Sequence, residues 1–318
     1  MSKAVYFFCA DSAKDPVANN VFERLTQFMP LTETNIEIDG LKILEHTDSH
    51  NHLFQFVRTK EVLSHYYSRY LPFLWEYFSQ FDFAGIVNWH EGTNAPDRIL
   101  TVHSTGDVSS GVFGNANPML FKNLLVEIDK KRIQHNLDDF ITSTEATHWS
   151  GIPYQGNPEW ITDYNVPAYD IEIGSSENSW KNETAARVLA SSLTGVFSNC
   201  VNESYLYTLL CLGGVHFEKS FSDAILSQKH PLSIGHILPN QWLVSGNYGD
   251  VNTEEGLEKL ERGIASVIGG IHAVVFHDNL KSVYKQLCKA IGEKYNVPVF
   301  KHKVLRDLDR TIEVINGS

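Results

Sequence analysis

The chain has 318 residues, 42% of them hydrophobic and 20% charged, with 26 Lys and Arg against 38 Asp and Glu for a formal net charge of −12. That length buries one large core or two modest ones, the even spread of aromatic residues excludes a disordered chain, and the acidic balance argues against gripping nucleic acid over a broad surface. No apolar run is long enough to span a membrane. The strand-like start Met1–Ala10 lacks signal-peptide organisation, and the widely spaced Cys9, Cys200, Cys211 and Cys288 match no metal spacing. A reducing, cytoplasmic setting is therefore expected.

Val5–Cys9 reads as the first strand, and Asp15-Pro16 as N-cap and first residue of a helix with Val17, Val21, Leu25 and Phe28 at helical spacing. Thr34–Asp39 and Leu41–Glu45 flank Gly40 as a hairpin, and Leu53–Val57 adds a strand. Val62–Phe78 predicts a helix up to Tyr70, interrupted by Pro72. Ala84–Val87 and Ile99–Val102 are buried-strand candidates. Asn117-Pro118 starts a helix striped by Leu120, Phe121, Leu124, Leu125 and Ile128. Strand Ala168–Ile173 precedes a helix with Ala185, Val188, Leu189, Leu193 and Val196 on one face. Tyr205–Leu212 and Leu232–Leu238 are extended, Thr253 caps a helix, Ala273–Phe276 is a strand, and Leu280–Tyr295 is a helix. Alternation of this kind predicts an α/β fold with a mixed, largely parallel central sheet covered by helices on both faces. One domain over residues 1–318 is expected, with residues 34–80 as a small subdomain or insertion.

Function is sought at the strand ends. His90, His103, His148, His216 and His236 all lie at or just beyond apolar runs, usually beside glycine. A lone histidine there is ordinarily a hydrogen-bonded structural residue, but five in one topological position point to a site, because ligands of open α/β sheets bind at the carboxyl ends of strands. Asp170 and Glu172 share a face of their strand and supply a base or a metal ligand, or one of them pairs an arginine. The glycine-bearing loop Ser104–Ala116, with Gly106 and Asp107, leads to Asn117 and offers backbone donors to a substrate. It lacks the Lys-Ser/Thr of a P-loop, and no G-x-S-x-G, H-E-x-x-H, G-x-G-x-x-G or C-x-x-C occurs. The tract His46-Thr47-Asp48-Ser49-His50-Asn51-His52 reads as a solvated loop.

At these residues the chain resembles the D-aminoacyl-tRNA deacylases of the archaeal and plant type, over nearly its whole length. Asp11–Asn20, His90, Leu100–Asp107, Thr144–His148, Ile171–Trp180, Gly213–His216, Gly235–Pro239 and Asn279–Ser282 are similar to that family's motifs in the same order. The resemblance implies a phosphorylase/hydrolase-like fold, hydrolysis of the ester between a D-amino acid and the tRNA 3′ end, and zinc. Metal- or histidine-assisted water attack is expected: by motif position His148, Glu172, His216 and His90 are the catalytic residues, and His103, His148, His216 and His236 are, as the alternative to those roles, metal ligands. Gly106, Asp107, Gly174, Ser175, Gly213 and Gly214 of these motifs, with Asn117 at the end of the loop and Trp149 as a pocket wall, are the expected substrate contacts, with the Gly213, Gly214 and Ser175-Ser176 backbone facing the oxyanion. Trp149 stands where the family has a second histidine, and Asn88-Trp89 replace its Ser-Arg. A small acyl or amide substrate held by residues 66–83 and Trp149 is the alternative, and a non-catalytic binding protein the rival of another class. A monomer or small homo-oligomer with no membrane contact is expected.

Overall fold

The computed structural model describes residues 1–92, 94–200, 205–249 and 253–317. Its first half comprises β1 (Lys3–Cys9), α1 (Ala18–Phe28), β2 (Thr32–Ile38), β3 (Leu41–Thr47), β4 (Leu53–Thr59), α2 (Tyr67–Phe78), β5 (Phe83–His90), β6 (Arg98–Ser104), β7 (Gly106–Asp107), β8 (Val112–Phe113), α3 (Pro118–Gln134) and β9 (Ile141–Thr144). There follow α4 (Trp160–Asp163), β10 (Ala168–Ser175), α5 (Glu177–Trp180), α6 (Glu183–Ser192), β11 (Tyr207–Leu212), α7 (Lys219–Leu226), β12 (Leu232–Leu238), α8 (Asn240–Ser245), α9 (Thr253–Ala265), β13 (Ala273–Phe276), α10 (Ser282–Tyr295), β14 (Val299–Lys301) and α11 (Leu308–Asn316).

These strands form two principal sheets where the sequence predicts one. The larger has the order β2-β3-β4-β1-β5-β10-β6-β9, and the smaller β12-β11-β13-β14. In the larger, β4, β1, β5 and β10 pair in parallel, β6 lies antiparallel to β10, and β2–β4 is an antiparallel meander. The smaller is wholly parallel. The fold is thus mixed, largely parallel α/β. Residues 34–80 are continuous with the large sheet, since β4 registers against β1 from Lys3↔Leu53 to Cys9↔Thr59.

Period-two alternation sorts the cores. Tyr6 and Phe8 of β1 point to a core that also holds Val21 and Leu25 of α1, Leu124 of α3 and Leu189 of α6. Val5 and Phe7 point the other way, to Tyr67, Tyr70, Leu74 and Phe78 of α2. The first core also takes in Leu209, Cys211, Ile234 and Val275 of the small sheet, so one apolar body joins the two sheets. Lys122 is buried in this region, its Nζ donating to Ile225 O at 2.6 Å and Ser227 O at 2.7 Å at the end of α7.

Several boundaries differ from expectation. Helix α1 starts at Ala18 rather than Pro16, because Asp15 Oδ1 accepts the Val17 and Ala18 N–H groups at 2.8 Å each. Helix α2 begins only at Tyr67 but continues through Pro72. The lost hydrogen bond costs about 3 kcal/mol, whereas its four fully buried side chains each contribute about 1.5–3 kcal/mol. Loop 104–116 contains the β7–β8 hairpin. Thr253 is the first residue of α9, and the position ahead of it lies outside the described residues.

Candidate active site

The site is built where the two sheets meet. On β10, Tyr169, Ile171 and Ile173 enter the large core, so Asp170 and Glu172 emerge on the opposite face. The antiparallel β6 sets His103 opposite Asp170, and the parallel β5 sets Asn88 opposite Glu172 and His90 opposite Gly174. A Cβ at position 174 would lie 2.7 Å from His90 Cβ, so glycine there is what seats His90. Strand β9 ends at Thr144, and the chain then threads between the sheets. Ala146 N donates to His216 O and Thr147 N to Ile237 O, both at 2.9 Å, while His148 O accepts from Gly106 N at 3.2 Å.

That thread places Glu145 at the centre. Its Oε2 accepts from His216 Nε2 at 2.6 Å and lies 3.4 Å from His90 Nε2, and its Oε1 is 3.9 Å from His103 Nε2. His103 Nε2 is also 3.7 Å from Asp170 Oδ2 and 3.7 Å from Glu172 Oε1. Tautomers follow from the far sides of the rings. His103 Nδ1 donates to Ser104 O at 3.1 Å and His148 Nδ1 to Ala146 O at 2.9 Å. The Ser175 hydroxyl donates to Pro96 O at 2.9 Å, so it accepts from His90 Nδ1 at 2.8 Å. The Nε2 lone pairs of His90 and His103 therefore face carboxylates, an arrangement that is repulsive without a cation or a shared proton between them.

Burial sets the electrostatics. It lowers the pKa of His90 and His148, and that of His103 to about 4, keeping the rings neutral. It pushes Asp170 up to about 7 and Glu172 well above the carboxylate range, with the Glu145 charge adding to both. For Glu145 burial acts in the same sense but is overcome, the His216 N–H donated to Oε2 holding its carboxyl low. His103 Nε2, Glu145 Oε1, Asp170 Oδ2 and Glu172 Oε2 are buried without hydrogen-bond partners. Among the described residues, two sets have ligand atoms mutually within 4.8 Å, His90–Glu145–His216 and His103–Glu145–Glu172. Converging orphaned donors on neutral imidazoles and hard carboxylates fit a divalent cation.

A cleft of about 600 Å³ opens onto this cluster through His90, His148, Glu172 and His216. Gly106–Ser109 form one wall; His65, Trp89, Tyr154 and Trp242 supply aromatic surface, with His65 stacked on Tyr154 at 3.5 Å between centroids. Of the predicted residues, the structure gathers His90, His103, His148, Glu172, His216, Gly106, Asp107 and Trp149 in or against the cleft.

Other expectations are corrected. His236 is held on both ring nitrogens by hydroxyls, Nδ1 by Ser104 and Thr147 at 3.0 and 3.2 Å and Nε2 by Ser266 at 2.9 Å, leaving no nitrogen for a metal. Asn117 Oδ1 caps α3 by accepting from Met119 N and Leu120 N. Three of the proposed oxyanion donors are engaged elsewhere: Gly213 N with Leu238 O, Gly214 N with Asn279 Oδ1, and Ser175 N with Asp97 O. Gly174 and Ser175 serve His90 rather than lining the cleft. The aromatic stretch 66–83 mostly fills the α2 core, with Tyr67 edge-on to the buried Trp149 at 5.5 Å. Sequence reasoning assigned no role to Glu145, His65, Tyr154 or Trp242. The one signal for Glu145 was its place inside the Thr144–His148 motif, just past the end of β9.

The described residues include no helix long and apolar enough to cross a membrane. A family model described as D-aminoacyl-tRNA deacylase matches residues 77–300, a span containing every site residue except His65. The chain is 25% identical to the D-aminoacyl-tRNA deacylase of Pyrococcus abyssi over 235 residues, covering 71% of this chain and 77% of that protein. It is likewise 25% identical to the Pyrococcus furiosus enzyme over 233 residues, with the same coverages. Its fold is that of the crystallised conserved protein of unknown function AF0625, with a TM-score of 0.71 at 18% identity over 96% of this chain and 97% of that one.

Proposed function

The chain belongs to the D-aminoacyl-tRNA deacylase family and is a hydrolase, and from that premise we propose that it cleaves the ester joining a D-amino acid to the tRNA 3′ end, in the cytoplasm where charged tRNA is used. The observation that carries the mechanism is Glu145, one buried carboxylate shared by imidazoles from both sheets beneath the cleft. Hydrolysis adds water across the ester: the acyl–oxygen bond breaks, the acyl carbon gains the water oxygen, and the ribose oxygen gains a proton.

His216 is the general base in this reading. Its Nε2–H donates to Glu145, which orients the ring and stabilises the imidazolium, so Nδ1 takes the proton from water and returns it to the departing ribose oxygen. With a side chain 26% exposed, it is far more open to the cleft than His90 or His103. His90 and His148 border the ester on the same floor. A divalent cation, zinc in this reading, would be held by His103, Glu145 and Glu172 and would supply Lewis-acid stabilisation of charge developing on the carbonyl oxygen. Trp89, Tyr154 and His65 give stacking surface for the terminal base or an aromatic side chain.

The test is deacylation of D-Tyr-tRNA and L-Tyr-tRNA by the parent, with and without chelator, and by His216→Ala and His148→Ala. We expect D-ester cleavage that chelator abolishes and that His216→Ala lowers by about 10²-fold or more. No turnover of either ester at high enzyme concentration, with bound metal confirmed by elemental analysis, sinks the tRNA reading. The cleft volume also lies in the range of small-molecule sites, which supports the rival of a small D-aminoacyl ester or amide as the entire substrate.

A further inference from the structure

The charge of this chain is unevenly distributed. Residues 271–318 carry eight Lys and Arg against five Asp and Glu, whereas residues 1–270 carry 18 against 33. Within the basic part, three ammonium groups meet on one residue. Lys303 Nζ and Lys301 Nζ lie 2.5 and 3.7 Å from the Asp278 carboxylate, and Lys285 Nζ donates to the Asp278 carbonyl at 3.0 Å. One carboxylate does not neutralise three ammoniums. Lys281, three residues on, is exposed, and its ammonium group makes no ion pair or hydrogen bond among the described residues, while its carbonyl accepts from Lys285 N at 3.1 Å. The basic run on α3 differs, since Lys131 pairs with Glu127 and Arg132 with Asp129.

The location of this cluster gives it meaning. Asp278 follows β13 and Lys301 ends β14, so the ammonium groups sit at the carboxyl edge of the parallel sheet. That edge is stitched to the cleft. Asn279 Oδ1 accepts from Gly214 N at 3.2 Å, and Asn279 O accepts from Asn240 Nδ2 at 3.5 Å. Two residues beyond each of those partners stand His216 and Trp242, both lining the cleft.

We propose that this edge, around Lys281, Lys285, Lys301 and Lys303, seats the sugar-phosphate backbone of the tRNA acceptor arm, whose 3′ end then passes Gly214 and Asn240 into the cleft. The inference rests on the deacylase reading above. It also reconciles an acidic chain with a polyanionic substrate: contact is confined to one basic edge, with the acidic remainder opposing other approaches. Clustered ammonium groups facing a phosphate chain release counterions on binding, which makes the interaction salt-dependent and indifferent to base sequence.

The test compares the parent with Lys281→Ala/Lys303→Ala and Lys281→Glu/Lys303→Glu on two substrates, D-Tyr-tRNA and the D-tyrosyl ester of adenosine. On tRNA at roughly 150 mM salt, KM should rise about tenfold for the alanine pair and further for the glutamate pair, with kcat within about twofold. The salt slope of log kcat/KM should become shallower by about 1.5, and cleavage of the adenosine ester should not change. If KM and slope on tRNA stay at parental values, the surface is wrong while the deacylase reading stands. Equal losses on both substrates also overturn the surface, because the lysines would then act on the cleft. A parent that cleaves the adenosine ester but not tRNA overturns the tRNA reading and this surface with it.

Discussion

Glu145 binds the site together because its two oxygens have different neighbours, Oε2 taking the His216 N–H at 2.6 Å and Oε1 lying open towards His103. Replacing it by Gln keeps the volume but puts a donor or a neutral acceptor where imidazole lone pairs converge. Glu145→Gln should lower kcat by about 10²–10³-fold and reduce bound metal, with an unchanged far-UV spectrum, as steady-state kinetics and elemental analysis would register. Ser175 works through another residue: it accepts His90 Nδ1–H and so holds Nε2 towards Glu145. Ser175→Ala should cost about 10-fold in activity and shift the acidic limb of the pH–rate profile, whereas a purely structural serine would move only the melting midpoint. The His90, His103, His148 and His216 positions were legible in the sequence as strand-end residues of one type, and Glu172 as a strand residue on the face opposite the apolar one. Glu145 was not, because nothing local distinguishes a carboxylate that will be shared from one that will be solvated.

At the scale of elements, the start of α1 shows how a cap and a titration are linked. Asp15 is fully buried, its Oδ1 accepts two helix N–H groups, and its Oδ2 has no partner. Burial pushes its carboxyl up to about 7, against the two backbone hydrogen bonds that pull it down. A folded-state pKa above the unfolded value near 4 means that folding favours the protonated form. The stability this gives is complete below about pH 4 and is lost as pH rises towards 7. Asp15→Asn keeps the accepting oxygen and never buries a charge. At pH 8 it should therefore be more stable than the parent by on the order of 2–4 kcal/mol, and at pH 4 nearly equal; denaturant midpoints at the two pH values check this. Sequence reading found the side chain that satisfies the first N–H groups, but the N-cap position is Val17, so both cap and helix start lie two residues later than expected. It also ended α2 at Tyr70, since Pro72 is a strong local signal whose cost is offset only by burial of Leu74 and Phe78 beyond it.

At the scale of the whole molecule, the seam between the sheets is both the structural joint and the floor of the cleft. His236 of β12 ties this seam through hydroxyls of Ser104, Thr147 and Ser266, drawn from three different parts of the chain. His236→Ala should cost about 2–4 kcal/mol, visible as a melting point lowered by roughly 5–15 °C, while metal content at saturation stays unchanged. A loss of bound metal without a loss of stability would restore His236 as a ligand. The basic carboxyl edge belongs to this scale too, because its ammonium groups come from α10 and from the end of β14 and meet only through the parallel register of β13 with β14.

The sequence by itself determined which side chains face which way. Alternation along β10 sent Asp170 and Glu172 to one face, apolar runs marked His90 and His103 as strand-end groups, and the ordered motifs identified the family. These are local properties, set by a two-residue period and by short-range spacing. Only the tertiary structure chose among the histidines. His216 reaches Glu145 across 71 residues of chain, whereas His236, indistinguishable from it in local pattern, is taken up by hydroxyls. The selection depends on how residues 145–148 thread between two sheets, and a coordination set is a relation among distant segments that no local period encodes.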